Sequence, residues 1–255
     1  MKNTPVITIE NHRSRERIND LGEVFTPARY VQQMLAFFDQ KLWTNEDSIF
    51  FEPSCGQGNI VQPILEKRIV ALTKKYSRAN LNEPVIHAVA NAIHTLWAID
   101  ICPINVELTR KRAFALVVKT LQTAKYDCIK SVKAREFLTH IMCTLVWQIQ
   151  QNEALSAVSK GAIAETQAKK TKLGREWIKN NTHKPIDFAL DWCAFYKQST
   201  TQDAASLLFQ RARQFLESSI KSDKIRGYDE FRFAREALQA LSEKRRNEAM
   251  NAGVA

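Results

Sequence analysis

The pattern of apolar and polar positions predicts two short buried strands, each followed by a helix. Residues 48–52 and 95–101 are short apolar runs bounded by polar or turn residues, which is typical of buried strands. Apolar side chains then recur at helical spacing over residues 60–69, and more strongly over residues 104–125. A strand, a glycine-containing turn and a helix in this order are typical of the first half of an α/β nucleotide-type fold.

Upstream of the first strand, the chain begins with a polar arm and then enters a helix. Residues 1–20 combine a short extended piece with a charged stretch, and they lack the apolar core of a secretory signal. A helix is predicted from Pro27, because the fixed φ of proline suits the first helical position. Thr26 is then the expected N-cap, since threonine favours that position.

Downstream of these elements the periodicity is weaker. Residues 74–93 are polar and are expected to form a helical insertion. Residues 142–149 fit either a strand or a buried helix, and residues 185–192 give a weak strand pattern. We therefore expect one domain over residues 21–198 and a helical C-terminal extension over residues 199–255.

The composition is that of an ordinary globular protein with two scarce residue types. The 255 residues are 45% hydrophobic and 25% charged, which excludes a disordered tail, a collagen-like repeat and a disulfide scaffold. Glycine and proline each occur only seven times, so their positions are informative. Five of them, Gly22, Pro27, Pro53, Gly56 and Gly58, fall in two short segments. These two segments are therefore the leading candidates for a ligand-binding site.

Cysteine usage and hydropathy limit the possible chemistry. The five cysteines are scattered without a Cys-x-x-Cys pair, so no metal site is predicted and a reducing compartment is expected. No apolar run approaches about 18 residues, so no membrane span is expected. The sequence therefore predicts a cytoplasmic protein without a metal or membrane partner.

The net charge of +10 favours a polyanionic partner, nucleic acid first, although a generic basic protein carries the same surplus. Residues 160–184 hold seven basic and two acidic side chains. This segment fits a DNA-contacting loop, with cations near backbone phosphates and Trp177 against the nucleic acid. The expected DNA contacts are Lys169, Lys170, Lys172 and Arg175. A solvated charged face is the alternative for the same residues.

Four short segments carry the most specific signal. Glu52–Asn59 has the sequence Glu-Pro-Ser-Cys-Gly-Gln-Gly-Asn and follows the first predicted strand. The other three are Gly22–Pro27 (Gly-Glu-Val-Phe-Thr-Pro), Ala98–Ile101 (Ala-Ile-Asp-Ile) and Asn105–Thr109 (Asn-Val-Glu-Leu-Thr). In this order they resemble the S-adenosylmethionine-binding region of adenine-N6 DNA methyltransferases of restriction–modification systems. The resemblance covers residues 20–125 and implies a Rossmann-like, S-adenosylmethionine-dependent methyltransferase core, helix-rich and with an incomplete sheet.

The resemblance also assigns roles to individual residues. It implies that Glu52 and the backbone around Gly56 face the methionine part of S-adenosylmethionine, while Asp100 accepts hydrogen bonds from the ribose hydroxyls. It places Ile101 against the adenine ring. The implied cofactor contacts are Phe25, Thr26, Pro27, Glu52, Pro53, Ser54, Cys55, Gly56, Gly58, Asp100 and Ile101. Two positions have simpler alternatives, because Asp100 can cap the following helix and Cys55 can be a small buried residue.

The catalytic motif of the same family is missing. Those enzymes carry an [Asp/Asn/Ser]-Pro-Pro-[Tyr/Phe/Trp] tetrapeptide, whereas this chain has no two adjacent prolines. After Pro103 only Pro185 remains, and Asp187 and Asp191 are the nearest candidate carboxylates. Residues 152–155 (Asn-Glu-Ala-Leu) correspond to a family segment whose acid contacts the cofactor adenine.

Three interpretations of the activity therefore stay open. The chain is an active site-specific DNA-methyltransferase (adenine-N6) with an unusual catalytic residue, or it binds the methyl donor while a protein partner supplies the catalytic half. In the third interpretation it is an inactive relative that acts through cofactor, DNA or protein binding. Outside this family, the alternative is a basic helical interaction protein that keeps only a relic of the fold.

Overall fold

The computed structural model describes residues 26–126, 132–159, 162–181 and 185–188 of the chain. The predicted N-terminal arm, Phe25 and the predicted C-terminal extension lie outside the described residues. The helices in the described ranges are α1 (Ala28–Ala36), α2 (Gln40–Thr44), α3 (Val61–Arg78), α4 (Pro84–His94), α5 (Pro103–Thr123), α6 (Val132–Gln148), α7 (Ala154–Ala157), α8 (Ala162–Ala168) and α9 (Lys172–Asn180). The strands are β1 (Phe50–Glu52), β2 (Leu96–Asp100) and β3 (Ile149–Gln151).

The three strands form one parallel sheet in the order β1-β2-β3. On one side of the central strand Phe50 is aligned with Leu96, and on the other Ala98 is aligned with Ile149. Helices separate the successive strands, because parallel pairing requires a crossover connection. The described residues therefore form a helix-rich α/β arrangement with a small parallel sheet, compatible with a Rossmann-like fold. The two predicted strands and the helices that follow them are confirmed.

Residues 74–93 are largely helical, as predicted, but the prediction that they form a polar insertion is wrong. The polar part of this stretch belongs to the end of α3 and a short connection, while α4 lies in the core. Seven consecutive side chains of α4, from Ala88 to His94, are buried. Small apolar residues let α4 pack closely along α3, and Asn91 among them accepts a hydrogen bond from Arg68 at 3.0 Å. The low hydropathy of the whole window hid this buried helix.

The ambiguous segment 142–149 divides between a helix and a strand. α6 continues to Gln148, and β3 begins at Ile149. Gln148 is buried, and its Nε2 donates to the backbone oxygens of His94 (2.8 Å) and Leu96 (3.0 Å). These two bonds tie the end of α6 to the start of β2, which aligns β3 beside it.

Thr26 is not the N-cap of α1. Pro27 takes the cap position with a ψ of 145°, and no side-chain hydrogen bond caps the helix. The backbone oxygen of Pro27 accepts the first bonds of the helix, from Tyr30 (2.9 Å) and Val31 (3.2 Å). Because Pro27 itself is extended, the helix begins one position later than expected.

The weak strand predicted over residues 185–192 is not formed in its described part, residues 185–188. Instead, the ring of Phe188 packs edge-on against two aromatic rings of the sheet. Its centroid lies 5.1 Å from that of Phe51 and 5.5 Å from that of Trp97. Phe51 and Trp97 are aligned partners on β1 and β2, so this segment covers one face of the sheet.

A buried arginine holds the opposite face together. Arg68 on α3 is 1% exposed, and its guanidinium lies 5.0 Å from the ring centre of Phe50. It donates to the backbone oxygens of Leu42 and Asn45, both at 2.8 Å, and to the Thr95 hydroxyl at 3.0 Å. Burial lowers the pKa of this guanidinium to about 10, which leaves it charged at neutral pH. Arg68 therefore links α2, α3 and the start of β2 around β1.

Candidate functional site

The carboxyl ends of the three strands bring polar side chains to one edge of the sheet. Glu52 ends β1, Asp100 ends β2, and Asn152 and Glu153 follow β3 directly. Asp100, Asn152 and Glu153 are buried, and the backbone N–H of Asn152 donates to the backbone oxygen of Asp100 at 3.1 Å. Ligands of open parallel sheets bind beyond this edge, so it is the candidate site.

The turn after β1, residues 53–59, is held at this edge by the backbone of β2. We refer to these residues as the glycine turn. The N–H of Cys55 donates to the backbone oxygen of Ile99 at 2.8 Å. Gly56 and Gly58 have φ values of +52° and +84°, a region that side chains other than glycine rarely adopt. The sequence signal of two closely spaced glycines therefore has a direct backbone cause.

The two glycines serve different purposes. A Cβ built on Gly58 would lie 3.2 Å from both Cγ2 and Oγ1 of Thr109, so this position lets the turn approach α5 closely. A Cβ built on Gly56 would meet no atom within 4 Å. Gly58 is therefore needed for packing within the protein, whereas Gly56 borders open space in which a ligand can approach the backbone.

Asp100 joins the glycine turn to the end of β2. Its Oδ2 accepts the backbone N–H of Gly56 at 2.8 Å. Its Oδ1 accepts the N–H of Cys102 at 2.8 Å and the side-chain amide of Asn105 at 3.3 Å. The alternative in which Asp100 caps the following helix is wrong, because Cys102 holds the cap position of α5 and no side-chain bond caps that helix.

α5 contacts the glycine turn through Thr109, which ends the segment Asn105–Thr109, and through Arg112, which the sequence analysis did not select. The Thr109 hydroxyl donates to the backbone oxygen of Gly56 at 2.9 Å. Arg112 donates to the backbone oxygen of Gln57 and to Asn59 Oδ1, and burial lowers the pKa of this guanidinium. The spacing of Asn105, Thr109 and Arg112 on one helical face was the available signal, because positions i, i+4 and i+7 share a face.

Arg110 of the same helix anchors the third strand. Its guanidinium donates to the backbone oxygens of Val146 at 3.0 Å and Ile149 at 2.9 Å. These contacts fix the start of β3 beside β2. The segment Asn105–Thr109 and its neighbour Arg110 therefore connect the glycine turn, Asp100 and β3.

The electrostatics of the edge favour a cationic ligand. Burial raises the pKa of Glu52, the Ser54 N–H opposes this shift, and the nearby charge of Asp100 adds to it. Burial, followed by the charge of Asp100, raises the pKa of the Cys55 thiol to about 12. Cys55 is therefore a neutral, buried thiol at physiological pH, as its simpler alternative predicted. Two acidic side chains close together are stabilised by a positive group placed between them.

Glu153 caps a helix, a role that the resemblance to the methyltransferase family did not imply. Its carboxylate accepts the backbone N–H groups of Leu155 (3.2 Å) and Ser156 (2.8 Å) and so caps α7. Asn152 Oδ1 accepts the N–H of Glu153 at 2.9 Å. The pair 152–153 thus lies at the same edge as Asp100, with the acid turned to the helix N-terminus.

The remaining predicted cofactor contacts lie on the glycine turn, after β2 and before α1, with Phe25 outside the described residues. Pro53 and Ser54 are exposed on the glycine turn, and the Ser54 N–H donates to Glu52 Oε1 at 3.0 Å. Ile101 follows Asp100 and is partly exposed. Thr26 and Pro27 precede α1, and no hydrogen bond within the described ranges joins either of them to the glycine turn. Phe25 lies outside the described residues.

The predicted DNA-contacting segment is helical rather than a loop. Its described part forms α8 and α9, joined by a short turn, with Thr171 capping α9. The four predicted contacts are exposed, and Lys169 forms an exposed ion pair with Glu165. Exposure suits both alternatives, a DNA-facing surface and a solvated charged face. Of the two carboxylates nearest Pro185, Asp187 is exposed and Asp191 lies outside the described residues.

Two further observations concern possible partners. Among the described residues, no group of three or more His, Cys, Asp or Glu side chains is arranged to hold a metal ion. No helix in the described ranges combines the length and apolar character needed to cross a membrane.

Comparison of the chain with protein-family models, with curated proteins and with solved structures found no match.

Proposed function

We propose that this chain is a cytoplasmic DNA adenine-N6 methyltransferase-like protein with a Rossmann-like core that binds S-adenosylmethionine at the glycine turn. The observation that carries the proposal is the bond from the Gly56 N–H to Asp100 Oδ2. It joins a glycine turn after one parallel strand to an acid that ends the next strand. Nucleotide-type ligands bind at this position in open α/β sheets.

Two features of the glycine turn support this choice of cofactor, the open space beside Gly56 and the neighbouring carboxylates. Open space borders Gly56, so the ligand can reach the turn without meeting a side chain there. Glu52 is suited to the ligand ammonium group and Asp100 to the ribose hydroxyls, since both carboxylates gain from hydrogen bonds to a donor. Ile101 provides an apolar surface for the adenine ring. When bound, S-adenosylmethionine supplies an electrophilic methyl group on a cationic sulfonium.

The chain has a second candidate function, in which it does not catalyse methyl transfer on its own. Because no two adjacent prolines occur in the 255 residues, the tetrapeptide that holds the target amino group in this family is not supplied by this chain. The alternative function is a non-catalytic or split-enzyme subunit, in which a protein partner contributes the catalytic half. In both forms the exposed cations Lys169, Lys170, Lys172 and Arg175 face DNA, and methylation in a restriction–modification system is the expected context.

Equilibrium dialysis with labelled S-adenosylmethionine tests cofactor binding. We expect saturable binding to the wild-type chain and weaker binding to Glu52→Gln, which keeps the size of the side chain and removes its charge. Glu66→Gln is the matched control, because Glu66 is exposed on α3 away from the glycine turn. Equal binding by Glu52→Gln and the control would remove Glu52 from the site, and no binding to wild type would end the proposal.

Transfer of a labelled methyl group to mixed-sequence DNA then separates the two forms. Transfer by the chain alone supports the enzyme. Cofactor binding without transfer supports the subunit, and Asp187→Asn tests the exposed carboxylate if transfer occurs.

A further inference from the structure

A second, strongly basic groove lies far from the glycine turn. It has a volume of about 710 Å³ and runs between α2 and the second half of α3. Its described lining residues are Gln40, Trp43, Thr44, Lys67, Val70, Ala71, Lys74, Lys75, Arg78 and Ala79. α3 begins beside the glycine turn, whereas Lys75 near its end bonds the backbone oxygen of Thr44 at 3.1 Å, just before β1. The groove therefore lies toward the amino edge of the sheet, opposite the candidate cofactor site.

The charge of this groove is one-sided. Four of its described lining residues are cationic and none is acidic. Glu46 pairs with Lys75 at 2.9 Å, which offsets one of the four charges. Lys67 donates to the Leu35 backbone oxygen at 3.3 Å, and Lys74 and Arg78 extend from exposed positions. A concave surface with one sign of charge concentrates oppositely charged ligands.

The spacing of the cations fits an extended polyanion better than a single anion. Lys67, Lys74 and Arg78 are separated by seven and four residues, so they follow one face of α3. Eleven residues of helix span about 16 Å at a rise of 1.5 Å per residue. A nucleic-acid strand presents a phosphate about every 3.4 Å along the duplex axis, so this length faces four or five phosphates. A single phosphate would instead need donors that converge on one point.

Trp43 forms part of the groove wall and has an unused donor. Its side chain is 1% exposed and stacks on Phe50 with ring centroids 5.1 Å apart. The indole N–H has no hydrogen-bond partner among the described residues, although it can only donate. The ammonium of Lys67 lies 4.3 Å from the centre of the same ring. That donor is buried, so the wall offers phosphate oxygens the Lys67 cation, which lies against the ring of Trp43.

We propose that this groove binds the sugar–phosphate backbone of DNA as a second contact surface, separate from the cations of α8 and α9. The inference requires neither cofactor binding nor methyl transfer. Only the choice of DNA as the polyanion rests on the proposed function. Contacts to phosphates are independent of sequence, so the groove adds affinity and orientation rather than site recognition.

The test is fluorescence anisotropy with a short labelled DNA duplex, recorded between about 50 and 200 mM salt. The groove variant is Lys74→Ala/Arg78→Ala. The control is Arg29→Ala/Lys111→Ala, which removes two cations that do not line the groove. Each lost phosphate contact lowers the slope of log K against log salt by about 0.9, so we expect a reduction of about 1.8 and an affinity loss of roughly tenfold or more.

Several results would overturn the groove assignment. These are no duplex binding by wild type, the same affinity and salt slope for the groove variant and the control, and displacement by inorganic phosphate at constant ionic strength. A preference for RNA over DNA that is lost in the groove variant would show that the groove binds RNA and not DNA. Circular dichroism shows whether the variant is folded, and a Lys74→Arg variant, which keeps all four cations, gives a second readout by retaining the wild-type affinity and salt slope. Groove-dependent DNA binding in a chain that does not bind S-adenosylmethionine would refute the proposed function and leave this inference standing.

Discussion

The two glycines of the turn after β1 give a matched pair of substitutions with different expected consequences. Gly56→Ala and Gly58→Ala each force alanine into a left-handed backbone conformation, at φ values of +52° and +84°. That conformation costs roughly 1 to 2 kcal/mol for a residue with a Cβ. At Gly58 the new methyl group also meets Thr109 at 3.2 Å, whereas at Gly56 it meets nothing within 4 Å.

The difference between the two variants follows from that contact. Overpacking of a well-packed contact costs about 1 to 3 kcal/mol, so Gly58→Ala should lose about 2 to 5 kcal/mol of unfolding free energy. Gly56→Ala should lose only the backbone part, about 1 to 2 kcal/mol. Urea unfolding followed by circular dichroism measures both values. Thr109→Ser in the Gly58→Ala background should recover part of the loss, because it removes the Cγ2 methyl group from the contact.

The effect on S-adenosylmethionine binding should be greater for Gly56→Ala than for Gly58→Ala, the opposite of the order in stability. The methyl group of Gly56→Ala projects into open space beside Asp100, so this variant should retain its fold and bind S-adenosylmethionine more weakly. Equal destabilisation by both substitutions, with no recovery in the Thr109→Ser background, would refute the packing role of Gly58. Unchanged ligand binding by Gly56→Ala would refute the role assigned to the open space beside Gly56.

Three further predictions follow from the buried charges and the thiol. Arg68→Met should lose at least about 3 kcal/mol in urea unfolding, because it strands four neutral hydrogen-bond acceptors and each one left buried without a donor costs about 1 to 3 kcal/mol, and a loss below about 1 kcal/mol would contradict this. Cys55 should resist thiol reagents at pH 8 in the folded chain, since its pKa is raised to about 12, and peptide mapping should find it labelled only in denaturant. The raised pKa of Glu52 means that its ionisation opposes folding as pH rises through that pKa, so Glu52→Gln should gain stability over wild type at neutral pH and lose this advantage below pH 4.5. Parallel stability curves for the two proteins from acidic to neutral pH would show that the Glu52 carboxylate is not perturbed.

The sequence predicts the central part of the fold because its signals there are local. A short apolar run next to a glycine turn locates β1, and the acid-ended run at 95–101 locates β2. The same pattern locates Gly56 and Asp100, because a left-handed backbone needs glycine and a strand end brings the acid to the edge, but it does not predict that Asp100 holds the turn. Gly56 and Asp100 are 44 positions apart in the sequence, so the hydrogen bond between them becomes visible only in the structure.

The parts that sequence reasoning missed depend on tertiary contacts. α4 is apolar, but the polar stretch that precedes it lowers the hydropathy of residues 74–93 as a whole, and its packing along α3 shows that it is buried. The sequence pattern places Thr109 and Arg112 on one face of α5, but only the structure shows that they donate to backbone oxygens of the glycine turn. The basic groove arises because Lys67 and Arg78 share a helix face, whereas the charge density along the sequence drew attention to residues 160–184 instead.

Calorimetric titration of the wild-type chain and of Asp100→Asn with S-adenosylmethionine is the most direct test of the candidate site. Asparagine keeps one acceptor oxygen but loses the charge and one of the two oxygens that hold Gly56 and Cys102. We predict saturable one-to-one binding to wild type with a Kd below about 1 mM, and binding at least tenfold weaker to the variant. A wild-type chain that is folded and shows no saturable heat at millimolar ligand would contradict a methyl-donor site at this edge of the sheet.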